Sequence, residues 1–249
     1  MKISVIIPTF NSSATIVNVL NSIKSQSFQP YEIIIVDDGS NDNTLDLASK
    51  FDGVSVFALG DNHGGPAWPR NFGILKAKGD YIAFCDADDI WHMDKLRRQA
   101  EKAISHNAKF VSCRRKIIKS YDAFDTHATL SHSTPQTLGA RDFLFGNPIV
   151  NSSVLIAREI LEKNKFVENN KLVAVEDYEL YERLHQDLKS IKLNEQLVGY
   201  LEVGQGISSR KVKMLKKFYI AKRMRYSFIT AIFFTTLSIF LKILGKRAK

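Results

Sequence analysis

Short apolar runs alternate with helical patterns along the N-terminal part of the chain. The runs are rich in Ile, Val and Phe, as is typical of strands buried on both faces, and span residues 3–7, 32–36, 54–59 and 81–85. The segment after the first run carries apolar residues at positions 16, 19, 20 and 23, the spacing of one helix face. Further helices are predicted from about residue 43 and over 67–78. This alternation predicts an α/β fold with a mostly parallel sheet.

Polar clusters follow three of the predicted strands. They are the sequences PTFN at 8–11, DDGS at 37–40 and DADD at 86–89. Ligands of open parallel sheets bind beyond the carboxyl ends of the strands, so these clusters are the first candidates for a functional site. For DDGS an ordinary turn, with Gly39 at a positive φ and an aspartate capping the next helix, is an equally good interpretation. The functional alternative is a carboxylate that binds a nucleotide base or ribose.

The DADD cluster places three carboxylates within four residues. Like charges at this spacing repel unless a cation neutralises them, and hard oxygen ligands suit Mg²⁺ or Mn²⁺. Mg²⁺ typically takes one or two protein carboxylates and completes its shell with substrate phosphates and water. The pattern therefore favours a diphosphate-bridging metal over an acidic turn that merely caps the following helix.

Two further segments have weaker signals. Gly64 and Gly65 precede a predicted helix that carries Arg70 in its first turns, and helix N-termini and arginines both favour phosphate. Glu176 and Asp177 begin an amphipathic segment, where acidic residues either complement the helix dipole or face a site as a general base. Neither GxGxxG nor GxxxxGK[ST] occurs, which excludes the usual dehydrogenase and P-loop signatures.

The net charge of +9 would by itself indicate a nucleic-acid binder, but its distribution argues against one. The segment 210–249 holds 12 of the 35 basic residues and none of the 26 acidic ones, so the preceding body has a net charge of −3. We therefore expect no nucleic-acid partner. A basic helical tail of this kind is instead drawn to anionic lipid.

The tail continues with 14 uncharged residues at 228–241, which include three threonines and one serine. A bilayer span needs about 20 apolar residues, so an interfacial anchor is favoured over a transmembrane helix. An ordinary helix that packs its apolar face on the body is the other alternative. With two cysteines and no apolar signal-peptide core at the N-terminus, the chain is predicted to remain in the reducing cytoplasm.

Taken together, five motifs carry a family resemblance: IIPTFN at 6–11, DDGS at 37–40, GGPAWPRN at 64–71, GDYIAFCDADD at 79–89 and ED at 176–177. In order and separation they resemble glycosyltransferase family 2 across roughly residues 1–205. The resemblance implies an inverting, metal-dependent glycosyltransferase of GT-A fold, of hexosyltransferase type, with a nucleotide-sugar donor. It divides the chain into a catalytic domain at 1–205 and a membrane-associating tail at 206–249.

Nucleotide-sugar contacts are carried over from the matching motifs. Pro8 and Thr9 would line the nucleotide pocket, and Asp38 would contact the base. Arg70 would approach the nucleotide or diphosphate, and Asp86 would lie near the ribose. These five positions are the donor-binding residues that the resemblance implies.

Metal and catalytic roles are carried over in the same way. Asp88 would be the direct ligand of Mg²⁺ or Mn²⁺, and Asp177, with Glu176 beside it, would be the catalytic base. Segment 204–210 occupies the place where relatives often carry a histidine or arginine followed by serines, so Ser208 and Arg210, together with Glu176, would be diphosphate or acceptor contacts. The QxxRW signature of processive synthases is missing, so transfer of one or a few sugars is expected. Segment 141–154 is expected on the acceptor side by analogy with the fold.

Partners and location follow from the tail and the resemblance. We expect a lipid-linked or saccharide acceptor in O-antigen, capsule or other surface-polysaccharide synthesis. The protein would sit on the cytoplasmic side of the inner or plasma membrane, peripherally or through its C-terminal tail. Two alternatives stay open: a nucleotidyltransferase on an α/β nucleotide-binding fold, and a catalytically inactive scaffold associated with the membrane.

Overall fold

A computed structural model describes residues 1–131, 133–202 and 211–243. The strands are β1 (Ile3–Thr9), β2 (Glu32–Asp37), β3 (Val54–Ala58), β4 (Tyr81–Phe84), β5 (Ile90–Trp91), β6 (Phe110–Ile118), β7 (Gln136–Leu138), β8 (Leu155–Ala157) and β9 (Ser190–Leu201). The α-helices are α1 (Ile16–Lys24), α2 (Thr44–Ser49), α3 (Ala67–Lys76), α4 (Lys95–Ser105), α5 (Arg158–Lys163), α6 (Glu176–Leu184), α7 (Lys211–Arg223) and α8 (Phe228–Ile243).

The nine strands in the described residues belong to one sheet, ordered β3-β2-β1-β4-β8-β6-β9-β5, with β7 paired to β9. The half formed by β3, β2, β1 and β4 is parallel throughout, as the apolar runs predicted. In the other half, β4 pairs antiparallel with β8, β8 with β6, and β9 with both β5 and β7, whereas β6 and β9 are parallel. The sheet is therefore mixed, and the prediction of a mostly parallel sheet holds only for the N-terminal half.

The central strands are buried on both faces, which explains their continuous apolar sequences. Along β1, Ile6 belongs to one buried cluster and its neighbours Val5 and Ile7 belong to the cluster on the opposite face. The second cluster includes the predicted α1 stripe. Cys85 and Cys113 are buried free thiols. These two layers hold the carboxyl ends of the parallel strands rigidly at one edge of the sheet.

The first helix of the tail packs on the body next to α6. Phe218 and Ala221 of α7 join the hydrophobic core. Lys222, which is fully buried, donates to the carboxylate of Glu182 on α6. Four aromatic rings surround the Lys222 ammonium at 5.1–5.4 Å from their centroids: Tyr178, Phe218, Tyr226 and Phe234. The buried ion pair and the rings around it attach α7 to α6.

The last helix, α8, packs against α7 and against the segment around residue 145. Ser238 donates to the carbonyl oxygen of Phe145 at 2.8 Å, and the Phe234 ring meets the Phe145 ring at 6.0 Å between centroids. Within the described ranges, no helix combines the length and apolar character needed to cross a membrane. The domain boundary predicted at 205/206 falls in a stretch outside those ranges.

Candidate active site

The three polar clusters that follow β1, β2 and β4 meet at one edge of the sheet. The three strands are neighbours in the sheet and run parallel. Several hydrogen bonds join the loop after β1 to the loop after β2. Asp38 N–H donates to the carbonyl oxygen of Thr9 at 2.8 Å, and Asn11 N–H donates to Ser40 Oγ at 2.8 Å. The ends of β1 and β2 are therefore in direct contact, and the end of β4 lies beside that of β1.

Within the DDGS turn the two aspartates have different partners. Asp37 is fully buried and accepts hydrogen bonds from the hydroxyls of Thr9 (2.9 Å) and Ser40 (2.5 Å), so it holds the two loops together. Asp38 accepts from the backbone N–H of His63 at 3.1–3.2 Å, and its Oδ1 lies 2.7 Å from His63 Nδ1. Gly39 adopts φ +78°, as the turn interpretation requires. Asp38 thus anchors the loop that precedes α3.

His63 also stacks on Trp68 of α3, with 4.1 Å between ring centroids. A cleft of about 660 Å³ opens beside this pair, and its lining includes His63, Trp68, Glu168, Asn170 and Glu176. Its volume is within the range typical of small-molecule sites. The cleft joins the loop held by Asp38 to the start of α6.

Arg70 connects three elements at the centre of the site. Its Nη1 donates to Glu176 Oε1 and its Nη2 to Asp86 Oδ1, both at 2.7 Å. The side chain is almost wholly buried, and in the described ranges its Nε and Glu176 Oε2 are buried without hydrogen-bond partners. Burial lowers the pKa of Arg70, but the charges of Asp86 and Glu176 outweigh it and leave the pKa raised. Arg70 therefore holds the end of β4 against the start of α6.

A second connection joins α6 to Asp86. Tyr181, one turn beyond Asp177, donates to Asn151 Oδ1 at 2.7 Å, and Asn151 Nδ2 donates to Asp86 Oδ1 at 3.0 Å. Ser152, the next residue, accepts a hydrogen bond from Asp86 N–H at 2.9 Å. Asp86 is consequently fixed from both sides and cannot turn away from the site without breaking these bonds.

Asp177 lies half-buried in the first turn of α6. Its Oδ2 accepts a hydrogen bond from Asn147 Nδ2 at 3.0 Å, and its Oδ1 accepts one from Tyr178 N–H at 2.7 Å. Burial and then the charge of Glu176 raise the pKa of Asp177 to about 7, against the opposing effect of Arg70. A carboxyl whose pKa lies near neutrality is suited to accept and release a proton.

The aspartates after β4 are the candidate metal ligands. Asp86 and Asp88 are half-buried and Asp89 is fully buried, with its Oδ1 accepting from Leu201 N–H at 3.3 Å. Burial and the charge of Asp86 raise the pKa of Asp88 to about 6. The part of the chain that the structure describes contains no group of three or more acidic, His or Cys side chains placed to hold a metal by themselves. Two hard carboxylates at a strand end fit a hydrated Mg²⁺ or Mn²⁺ that is shared with a diphosphate.

The sequence-predicted residues fall into three sets. Arg70, Asp86, Glu176 and Asp177 are brought together, with Asp88 in the same loop as Asp86. Thr9 and Asp38 lie at the neighbouring strand ends, with Pro8 half-buried in β1. Ser208 and Arg210 lie outside the described residues. The segment predicted on the acceptor side contains Asn147, Asn151 and Ser152. In the structure Asn147 is hydrogen-bonded to Asp177, and Asn151 and Ser152 are hydrogen-bonded to Asp86.

His63 was missed as a partner of Asp38. It falls within the glycine-containing segment that precedes α3, which signalled only phosphate binding. No local pattern could have identified its partner, because the contact spans 25 residues.

Comparison with known proteins agrees with this architecture. The model of the family described as "Glycosyl transferase family 2" matches residues 4–164, which covers β1 to β8 and the aspartates after β4. The chain belongs to glycosyltransferase family 2. The predicted family is thereby confirmed.

The relatives of this family 2 chain are named as bacterial glycosyltransferases. The teichuronic acid glycosyltransferase TuaG of Bacillus subtilis, described as putative, is 30% identical over 89% of this chain and 87% of its own length. The Escherichia coli enzyme WfgD is 28% identical over 86% of the chain and 83% of its own length. TarS of Staphylococcus aureus is 37% identical over only 43% of the chain. The chain spans about 20% of TarS and 39% of a Bacillus spizizenii poly(ribitol-phosphate) beta-glucosyltransferase.

Solved structures show the same fold. The crystal structure of TarS 1–349 superposes with a TM-score of 0.70 at 22% identity, covering 89% of this chain and 64% of that one. The mannosyltransferase PcManGT of Pyrobaculum calidifontis, in complex with GDP-Man and Mn²⁺, superposes with a TM-score of 0.67 at 16% identity. The match covers 100% of this chain and 76% of that one. The family 2 chain therefore has the α/β architecture of the GT-A enzymes, with a mixed sheet flanked by helices.

Proposed function

We propose that the chain is an inverting glycosyltransferase that moves a sugar from a nucleoside-diphosphate sugar to an acceptor hydroxyl. The observation that carries this proposal is the bridge from Asp86 through Arg70 to Glu176. It unites the candidate donor and metal residues after β4 with the candidate base Asp177. TarS 1–349 has also been crystallised in complex with UDP and with UDP-GlcNAc, which supports a nucleotide-sugar donor here.

In the proposed reaction the oxygen of the acceptor hydroxyl forms a bond to the anomeric carbon of the donor sugar. Asp177 takes the proton of that hydroxyl as the bond forms. The bond from that carbon to the donor diphosphate breaks at the same time, and its electron pair leaves on the nucleoside diphosphate. The configuration inverts because attack and departure occur on opposite faces. The names of the relatives record beta linkages, which agrees with a single displacement on an alpha-linked donor.

Pro8, Thr9 and Asp38 are assigned to the nucleotide end of the donor. The side chains of Thr9 and Asp38 already have hydrogen-bond partners within the protein, Asp37 and His63. We therefore assign Thr9 and Asp38 to shaping the nucleotide pocket as well as to contacting the nucleotide. Asp88, with Asp86, would hold Mg²⁺ or Mn²⁺, which when bound supplies charge neutralisation to the departing diphosphate. Arg70 is assigned to positioning Asp86 and Glu176.

The acceptor is proposed to be a lipid-linked glycan. WfgD is named for a diphosphoundecaprenol acceptor, and AmsB of Erwinia amylovora, 29% identical over 87% of the chain, for amylovoran biosynthesis. These names, together with the basic tail, support surface-polysaccharide synthesis at the cytoplasmic face of the membrane. They do not support a nucleic-acid partner.

A donor panel tests the proposed function. One of a set of UDP-, GDP- and dTDP-sugars, with Mn²⁺, should raise the melting temperature by about 5–10 °C at 100 times its dissociation constant. Chelation of the metal should reduce this shift, and the matching acceptor should release the nucleoside diphosphate. Release of pyrophosphate from a nucleoside triphosphate would instead identify a nucleotidyltransferase. A chain that binds none of these nucleotides would match the inactive scaffold.

Substitutions of Asn147 test whether Asp177 is the catalytic base, through the pH dependence of turnover. The Asn147 amide stabilises the ionised form of Asp177, so Asn147→Ala should raise the pH of half-maximal turnover by about 0.5–1 unit. Asn147→Asp should raise it further, because it places a like charge beside the carboxylate. The measurement is the turnover number against pH at saturating donor. An unchanged midpoint in both variants would remove Asp177 from the rate-determining proton transfer.

A further inference from the structure

The orientation of α8 is the reverse of that of an ordinary surface helix. Its small and hydroxyl-bearing residues Ala231, Thr235 and Ser238 are buried against the protein. Phe234 packs inward on Phe145, but four other large apolar residues are exposed and form what we call the outer face of α8: Phe228 (59% exposed), Ile229 (79%), Ile232 (42%) and Phe233 (58%). Among its described side chains, this helix therefore leaves a group of large apolar residues uncovered by the body.

The outer face is one continuous strip. Its positions follow the i, i+1, i+4, i+5 pattern, which lies on a single side of a helix. Met224, just before α8, is also 51% exposed. Isolated exposed apolar residues are normal on any protein, but a grouped strip of this kind marks an interaction surface.

The charge beside this strip is positive. The guanidinium of Arg223 lies 5.8 Å from the centre of the Phe228 ring, and both Arg223 and Lys216 of α7 are exposed. No acidic residue occurs anywhere in 210–249. Apolar side chains beside a basic residue, in a tail without acidic ones, complement an anionic lipid surface, where each nearby Lys or Arg contributes about 1 kcal/mol.

We propose that the outer face of α8 binds the anionic surface of a membrane. The helix lies flat in the headgroup layer, with Phe228, Ile229, Ile232 and Phe233 inserted toward the acyl chains and the buried side still attached to the body. This assigns a specific face to the membrane-associating tail predicted from sequence. Thr235 and Ser238 are buried on the protein side of the helix, whereas Thr236 is exposed.

The attachment of α8 also leads toward the candidate base. Ser238 and Phe234 contact Phe145, and two residues later Asn147 donates to Asp177. The segment that orients the carboxylate is thus the one on which the lipid-facing helix rests. An acceptor embedded by its lipid would present its sugar hydroxyl from this side. This last step rests on the proposed function, whereas the lipid-binding face does not.

Vesicle binding tests the proposal on the full chain. Flotation with phosphatidylcholine vesicles containing phosphatidylglycerol should recover the wild type, and pure phosphatidylcholine should recover less. Ile229→Ser combined with Phe233→Ser should weaken partitioning about tenfold or more, because two inserted apolar side chains are lost. The matched control is Leu75→Ser with Ile104→Ser, since both residues are 69% exposed on other helices.

The outcomes separate clearly. Equal vesicle binding by both double variants would overturn the proposal. So would a wild type that ignores vesicles and forms a dimer that the α8 variant disrupts, since the outer face would then cover a second copy. The donor-induced rise in melting temperature is measured on the same samples without lipid. If no donor raised the melting temperature, that result would count against the proposed glycosyltransferase function but would not affect the conclusion on lipid binding.

Discussion

Replacing Asp177 with asparagine should reduce turnover by about 100-fold or more while leaving donor affinity nearly unchanged. Asparagine keeps the shape and can still accept a hydrogen bond from Asn147, but it cannot take a proton at neutral pH. The donor is assigned to residues at the carboxyl ends of β1, β2 and β4, none of which the substitution changes. Turnover is measured by nucleoside diphosphate release, and donor affinity by the shift in melting temperature.

Asp187→Asn is the matched control for this substitution. It removes an exposed carboxylate just beyond the other end of α6, and turnover should stay at the wild-type level. If Asp177→Asn kept more than about a tenth of wild-type turnover, general-base catalysis by this residue would be excluded, since such groups contribute about 10²–10⁴-fold.

The same carboxyl fixes the pH dependence. Its pKa of about 7 lies above the usual aspartate value of 3.8, so turnover should rise as the pH increases through 7 and the base ionises. Stability should move the other way. Protonated Asp177 adds to the free energy of unfolding. This contribution is complete below the pKa that Asp177 has in the unfolded chain, and it is lost as the pH rises through 7. Above pH 7, Asp177→Asn should therefore be at least as stable as the wild type.

The parallel half of the sheet and its loop clusters could be predicted because each depends on local sequence. β1 and β2 are continuous apolar runs that end in polar turns, and adjacent parallel strands bring such turns to one edge. The antiparallel half gives no such signal. β5 and β8 have only two and three residues, too few for a period to show, and their partners are far away in sequence.

In the site, the residue types were visible in the sequence but their partners were not. Arg70 was predicted as a phosphate contact because an arginine near a helix N-terminus favours anions. In the structure both of its terminal nitrogens are occupied by Asp86 and Glu176, which come from two different elements. The orientation of α8 was equally hidden, since the carbonyl of Phe145 that receives Ser238 lies 93 residues away.

Arg70→Met should produce the largest loss of stability, about 3–5 kcal/mol in the free energy of unfolding, measured by urea denaturation. Methionine fills much of the space but leaves the carboxylates of Asp86 and Glu176 without their shared cation in a buried site, and removing one partner of a buried pair costs this amount. Arg70→Lys should recover only part of it, because one ammonium cannot reproduce the two separate bonds of the guanidinium.

The surface of the same protein offers a control with the same chemistry. Arg97 also bridges two carboxylates, Asp94 at 2.9 Å and Glu101 at 3.1 Å, but 43% of its side chain is exposed. Arg97→Met should therefore cost less than about 1 kcal/mol. Arg70 also lowers the pKa of Asp177, so its loss should move the pH midpoint of any remaining turnover upward, whereas Arg97→Met should not move it. Equal stability losses in the two variants, with no shift of the midpoint, would mean that Arg70 does not hold the site together.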